Sequence, residues 1–208
     1  MPLKIGLAAN DIACQRGGRT IFEDLSFSLA PGEALLVSGP NGAGKTSLLR
    51  QIAGLLPLAA GRLSLDGAPA DAEAAELCHY VGHLNAVKSS FSVRENLAFW
   101  AGFLGADGTR LDRALAAFAL TSLADFPAGL LSAGQKRKLA LSRLFAAPRP
   151  IWLLDEPQVL LDAASLTLLD KAIEDHLDAG GIALVVSHTP LKTAFAHKLA
   201  LGGKERVA

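Results

Sequence analysis

Eight residues do most to limit what this chain can become: Gly39-Pro40-Asn41-Gly42-Ala43-Gly44-Lys45-Thr46. They match the pattern G-x-x-x-x-G-K-[ST] at every fixed position, and their surroundings match it too. The apolar run Ala34–Ser38 enters the loop as a strand, and a helix over Thr46–Ala53 leaves it. A strand–turn–helix unit of this kind needs a sheet with helices packed against it. Each residue type has a physical task. Glycines let successive backbone N–H groups turn inward around phosphate oxygens. The helix N-terminus adds partial positive charge. Lys45 can reach the β- and γ-phosphates of ATP, and the Thr46 hydroxyl can ligate Mg²⁺. Ser47, next in the helix, is grouped with these nucleotide-binding residues.

The rest of the chain alternates short apolar runs with helical patterns, which predicts an α/β fold with a parallel sheet covered on both faces. Strands are expected at Ala34–Ser38, Cys78–Val81, Ile151–Leu154 and Ile182–Ser187. Leu25–Leu29 reads as an amphipathic strand, with Leu25, Phe27 and Leu29 inward and Ser26 and Ser28 outward. Leu63–Leu65 before Asp66-Gly67 reads as another strand and turn. Helices are expected from Lys45, near Val93, near Leu111, after Ser132 and near Ala163. Val93 to Pro127 offers no strand, so a helical insert is predicted. The domain reading is one unit over 1–208, with a core at about 1–90 and 131–208 and a helical subdomain at about 91–130. The end soon after Gly202-Gly203 leaves no room for a fused second domain.

A second chemical signal lies in Ile151-Trp152-Leu153-Leu154-Asp155-Glu156, an apolar strand ending in two carboxylates. A buried strand delivers Asp155 to the carboxyl edge of the sheet, near the phosphate loop. Asp155 would hold Mg²⁺ with Thr46, and Glu156 would polarise an attacking water. An acidic pair alone is a weak signal; beside the phosphate loop it points to nucleotide hydrolysis.

Composition removes competing classes. Lysine plus arginine and aspartate plus glutamate both count 20, so the net charge is zero and no chain-wide field for nucleic acid exists. Half the residues are hydrophobic and 19% are charged, which excludes disorder. The mean hydropathy of +0.32 raises the membrane question. A spanning helix needs about 20 nearly continuous apolar residues, and the best candidate, Leu97 to Ala106, is far shorter and holds two glycines. Met1-Pro2-Leu3-Lys4-Ile5 lacks the apolar stretch of a signal peptide. Cys14 and Cys78 form no CxxC pair and read as buried reduced thiols.

Leu131-Ser132-Ala133-Gly134-Gln135 precedes the acidic strand, and here the chain resembles the ATP-binding-cassette ATPase family. That family's signature is usually L-S-G-G-Q, so Ala133 replaces one glycine. The phosphate loop, signature, acidic strand, Asp162 and Val186-Ser187-His188 stand in the family's order and at its spacing. The resemblance covers essentially the whole chain. It implies a P-loop fold with a mainly parallel core sheet, N-terminal antiparallel strands and the inserted helical subdomain. It also implies a head-to-tail homodimer with two ATP molecules sandwiched between the copies. Ser132, Gly134 and Gln135 would then face the partner's nucleotide, with a helix N-terminus toward its γ-phosphate. His188 would contact the γ-phosphate, and Asp162 would lie at the dimer seam. His79, His176 and His197 read instead as satisfied surface histidines.

The chain departs from the family pattern at three further places. His83 stands where a glutamine usually follows the Cys78–Val81 strand. It stands four positions after His79, but no further ligands suggest zinc. Arg16 stands where an aromatic residue usually stacks on adenine, and a guanidinium can also stack on a ring. Val159 replaces the usual serine before Asp162.

The Gly82-His83 element after Tyr80, the run Leu-Ser-Ala-Gly-Gln-Lys-Arg-Lys, and Asn85-Ala86-Val87-Lys88 before Phe91-Ser92-Val93-Arg94-Glu95-Asn96-Leu97 resemble one branch of the family. That branch is the ATPase subunit of cytochrome c maturation, or heme export, systems. The implied partners are a second ATPase copy, an integral membrane permease and c-type cytochrome assembly proteins, with no nucleic acid. The implied location is the cytoplasmic side of the inner membrane, peripheral through the permease. The alternative is a soluble cassette ATPase in macromolecular assembly without a transported substrate. A P-loop kinase would not need the signature. Six of twelve aromatics, Phe91, Phe99, Trp100, Phe103, Phe118 and Phe126, fall in the insert. At least one of Phe99, Trp100 and Phe103 is therefore expected at the surface, in a cleft that receives a permease helix.

Overall fold

The computed structural model describes residues 4–202 and 206–207. Met1–Leu3 and Gly203, used above in reading the two ends, lie outside the described residues. In chain order the elements are β1 (Gly6–Arg16), β2 (Arg19–Leu29), β3 (Ala34–Ser38), α1 (Lys45–Ile52), β4 (Ala60–Asp66), α2 (Ala74–Leu77), β5 (Cys78–Val81), α3 (Val93–Phe103), α4 (Leu111–Ala117), α5 (Ala133–Ala146), β6 (Ile151–Asp155), α6 (Ala163–Asp178), β7 (Ile182–Val186), β8 (His197–Ala200) and β9 (Arg206–Val207).

Six strands form one sheet in the order β5-β6-β7-β3-β8-β9, parallel except for the β8–β9 pair. β6 and β7 are buried at every position, because a parallel strand between helical layers meets apolar neighbours on both faces. One face packs with α1 against the antiparallel sheet β2-β1-β4, through Leu35, Val37, Leu48, Leu49, Leu153 and Leu184. The other face packs against α5 and α6, through Leu141, Leu144, Leu154, Leu169, Ile173 and Val185. β2 alternates as its sequence predicts: Leu25, Phe27 and Leu29 are buried, Ser26 and Ser28 exposed.

β1 is absent from the sequence reading, and its geometry explains why. Leu7 and Ala9 face inward, but the next inward residues are Ile12 and Cys14. A bulge at Asp11, in the left-handed region at φ 48°, shifts the register there. One extra residue reverses the alternation, so no single period-two pattern spans the strand. β8 was equally silent, because only Leu199 of its four residues is buried.

The helical insert is closed at its base by backbone bonds. Ala128 N–H donates to Phe91 O at 2.9 Å, and Val93 N–H to Phe126 O at 3.1 Å. Val93, Leu97, Ala101, Ala114, Leu115 and Leu120 form its interior, completed by Leu139 and Ala146 of α5. α5 therefore belongs to two cores at once. Among the described residues no helix is long and apolar enough to cross a membrane.

Candidate active site

The phosphate loop joins β3 to α1 at the carboxyl edge of the parallel sheet. Gly44 caps α1 at φ 100°, and a Cβ there would stand 2.6 Å from Ile21 Cγ2. Only glycine meets both demands. No side chain caps α1 and its first turn holds no acidic residue, so its leading N–H groups and positive dipole end suit phosphate. Lys45 is buried, and its Nζ donates to Gly39 O at 2.7 Å and Pro40 O at 3.0 Å. The ammonium is thereby held within the loop's arch.

Thr46 Oγ1 donates to Asp155 Oδ2 at 2.8 Å. The two lie 109 residues apart in sequence and meet because α1 starts beside the end of β6. A hydroxyl and a carboxylate form a hard oxygen pair that suits Mg²⁺. Ser47 neighbours the buried Cys14 thiol, whose pKa is raised by burial. Arg16 is exposed at the end of β1, two residues beyond Cys14.

Glu156 leaves β6 in the left-handed region, φ 50°, a conformation that costs a non-glycine residue on the order of 1 kcal/mol or more. Its N–H donates to Val186 O at 3.0 Å. Its carboxylate lies 3.3 Å from His188 Nε2 and accepts from Gln158 Nε2 at 2.7 Å. Glu156 and His188, from the ends of neighbouring strands β6 and β7, thus form a pair open to solvent on the histidine side.

The signature segment opens α5. Ser132 Oγ accepts from Gln135 N–H at 3.2 Å, and Gln135 Oε1 accepts from Ser132 N–H at 2.8 Å, a reciprocal capping box. A Cβ at Gly134 would sit 2.8 Å from Leu160 O, whereas Ala133 is exposed. Position 134 therefore needs glycine and position 133 has room for the methyl. Asp162 caps α6, and its Oδ1 accepts from Ser165 N–H at 2.8 Å. The Ser165 hydrogen bonds hold its carboxyl below the usual range.

Three histidines differ from the surface reading in part. His79 is buried and bonded to the Ala147 carbonyl, and burial drives its pKa down to about 3. It stands on a strand covered on both faces, which a sequence window cannot show. His176 stacks on Trp152, ring centroids 3.9 Å apart, and bonds to Ile182 O. His197, paired with Glu33 at 3.2 Å, is half-buried as His176 is, so these two lie nearer the surface than His79. His83 is exposed and no hydrogen bond joins it to Asp155 or Glu156. Among the described residues no group of three or more metal-ligating side chains exists.

Two residues at the site escaped the sequence reading: Gln158, noted above, and Arg137. Arg137 is buried, and its guanidinium donates to backbone carbonyls on both sides of Glu156. Burial lowers its pKa, while Asp155 and Glu156 oppose that shift. One signal was available: Arg137, Leu141 and Leu144 follow helical spacing on a buried stripe, and a charge on such a stripe needs internal partners.

On α3, Phe103 is 70% exposed and Phe99 38%. Lys88 Nζ lies 4.0 Å from the Phe99 ring centroid, and Phe99 stacks on Phe103. Trp100 is half-buried, donating to Ala86 O at 3.3 Å and covering the Arg143 guanidinium. The buried Asn96 ties Lys88 to α3 through both its backbone groups, at 2.8 and 3.0 Å. Phe118 is fully buried and contributes nothing to this surface.

Residues 22–159 match the family model described as ABC transporter. The chain is 54% identical over 197 residues to the cytochrome c biogenesis ATP-binding export protein CcmA of Rhodospirillum rubrum, covering 93% of this chain and 84% of that one. It is 48% identical to the protein of the same name from Rhodopseudomonas palustris, covering 94% and 98%. A solved structure titled as the ATP binding subunit of an ABC transporter superposes with a TM-score of 0.83 at 25% identity, over 94% of this chain and 85% of that one.

Proposed function

This chain belongs to the ABC transporter family as an ATPase domain, and from that premise we propose that two copies, arranged head to tail, close on ATP to drive an integral membrane permease in c-type cytochrome biogenesis. The observation that supports the proposal is the meeting of three groups at one sheet edge: Lys45 in its arch, Thr46 on Asp155, Glu156 beside His188. The named relatives, biogenesis export proteins, supply the biological setting. Heme export or handling belongs to the same proposal, as do c-type cytochrome assembly proteins as further partners.

In this reading Thr46 and Asp155 would hold Mg²⁺, which would supply positive charge against that developing on the phosphates. Lys45 and the α1 N-terminus bind the β- and γ-phosphates. Glu156 orients a water for in-line attack on the γ-phosphorus and takes its proton, and the bond to the ADP oxygen breaks. His188 reaches the γ-phosphate beside it. The partner's Ser132 and Gly134 present the start of α5 from the opposite side. Asp162, flanked by the exposed Val159 and Leu160, lies at the seam. Arg16 stacks on adenine, and His83 lies along the loop facing the permease. The permease docks on the aromatic face of α3, which places the chain at the cytoplasmic surface of the inner membrane.

Glu156→Gln keeps the shape and removes the base. It should retain ATP binding and lose turnover by roughly 10²-fold or more. Lys45→Ala should weaken ATP binding itself. Hydrolysis and nucleotide binding, measured separately on each variant, decide the matter; normal turnover in Glu156→Gln would refute the assignment.

A further inference from the structure

Arg137 uses all five of its N–H donors, and none of them reaches a carboxylate. Nε donates to Pro157 O at 3.1 Å. One terminal nitrogen donates to Asp155 O at 3.0 Å and Glu156 O at 2.7 Å. The other donates to Gly82 O at 2.8 Å and Asn85 Oδ1 at 3.3 Å. A guanidinium has five donors in a rigid fork, so this arrangement saturates it.

Three bodies meet at this one side chain. Arg137 itself lies in α5, two residues beyond the capping box of Ser132 and Gln135. Asp155, Glu156 and Pro157 form the turn that aims the catalytic carboxylate, with Glu156 held at φ 50°. Gly82 and Asn85 begin the loop that Asn96 ties to α3. A left-handed non-glycine residue persists only where its surroundings fix it, and here the peptide groups on both sides of Glu156 are pinned by the guanidinium. The guanidinium makes no bond to the carboxylate itself, whose neighbours are His188 and Gln158.

We propose that Arg137 is a positioning residue for Glu156, joining the signature helix and the 82–88 loop to the catalytic turn so that movement of either is felt at the base. The proposal rests on the reading of Glu156 as general base. It is distinct from a packing role, because a residue that acts through Glu156 loses its effect when Glu156 cannot act.

The test is a double-mutant cycle on the full chain. Arg137→Gln keeps a polar helical side chain but cannot span all five acceptors. In the Glu156-intact chain it should lower kcat by on the order of tenfold to 10²-fold, the scale of a misplaced catalytic group, with KM for ATP changed by less than about twofold. In a Glu156→Gln background, followed by single-turnover hydrolysis, adding Arg137→Gln should cost less than about twofold more. Equal losses in both backgrounds, or a raised KM with kcat kept, would overturn the proposal. Melting temperatures establish that each variant is folded; if Arg137→Gln is not, Arg137→Lys carries the same cycle, since it keeps the charge and loses the fork. Failure of the underlying reading is seen separately, as normal turnover in Glu156→Gln alone.

Discussion

The buried His79 and the half-buried His176 make this protein sensitive to acid. Burial lowers the pKa of His79 to about 3 and of His176 to about 4, against an ordinary value near 6.5. Both are therefore neutral in the folded state at pH 7. The unfolded chain takes up their protons first, so stability is fully present above about pH 6.5. It falls as the pH drops toward the folded values, with a slope on the order of 1 kcal/mol per pH unit for each. Urea unfolding at a series of pH values should show this decline. His176→Phe keeps a ring over Trp152 but cannot take a proton, so its acid decline should be shallower. An unchanged slope would refute the assignment to His176. At this scale the sequence exposes what sits at fixed spacing: Lys45 with Thr46, and Asp155 with Glu156. Arg137 left almost no trace, because four of its five partners are backbone carbonyls. Any residue type can supply a carbonyl.

At the level of elements, α3 shows how one helix divides its tasks. Val93, Leu97 and Ala101 enter the interior of the insert, while Phe99 and Phe103 face out. Ser92 and Glu95 close a capping box at its start, which fixes the helix without help from the aromatic face. Phe103→Ser should therefore leave the melting temperature nearly unchanged and release the chain from membranes. Loss of one aromatic anchor typically costs about 2 kcal/mol, roughly 30-fold in affinity. A buried aromatic would instead cost about 3–5 kcal/mol of stability. Thermal melting and membrane co-sedimentation on the same variant separate the two, and normal membrane binding by a folded variant would refute docking here. The helical starts at Val93, Ala133 and Ala163 are legible because the caps Ser92, Ser132 and Asp162 agree with the apolar spacing that follows, whereas α1 and α4 lack a side-chain cap and rest on the phosphate loop and on spacing. β1 was hidden by its bulge and β8 by its polar edge, since each depends on a neighbouring strand rather than on its own pattern.

Across the whole molecule, the chain's formal charge is zero and half its residues are hydrophobic, and that apolar content fills three cores, two of which are joined through α5. The carboxyl edge of the sheet collects the loop, the Thr46–Asp155 pair and the Glu156–His188 pair. The signature cap stands exposed at the start of α5, with its hydrogen bonds turned back on itself. The order of motifs revealed this architecture, because a parallel sheet gathers strand ends from distant parts of the chain at one edge. It did not reveal that α5 packs into both the insert and the sheet, because that depends on which face of the helix each body covers. A site completed by a second copy makes a direct demand on mixing. Lys45→Ala disables the loop of one chain, and Ser132→Arg blocks the signature of another. Paired head to tail, they form one site with both lesions and one with neither. The decisive measurement is ATP hydrolysis by each variant alone and by the two mixed. Little activity is expected from either parent and recovered hydrolysis from the mixture; a mixture as silent as its parents would contradict head-to-tail pairing.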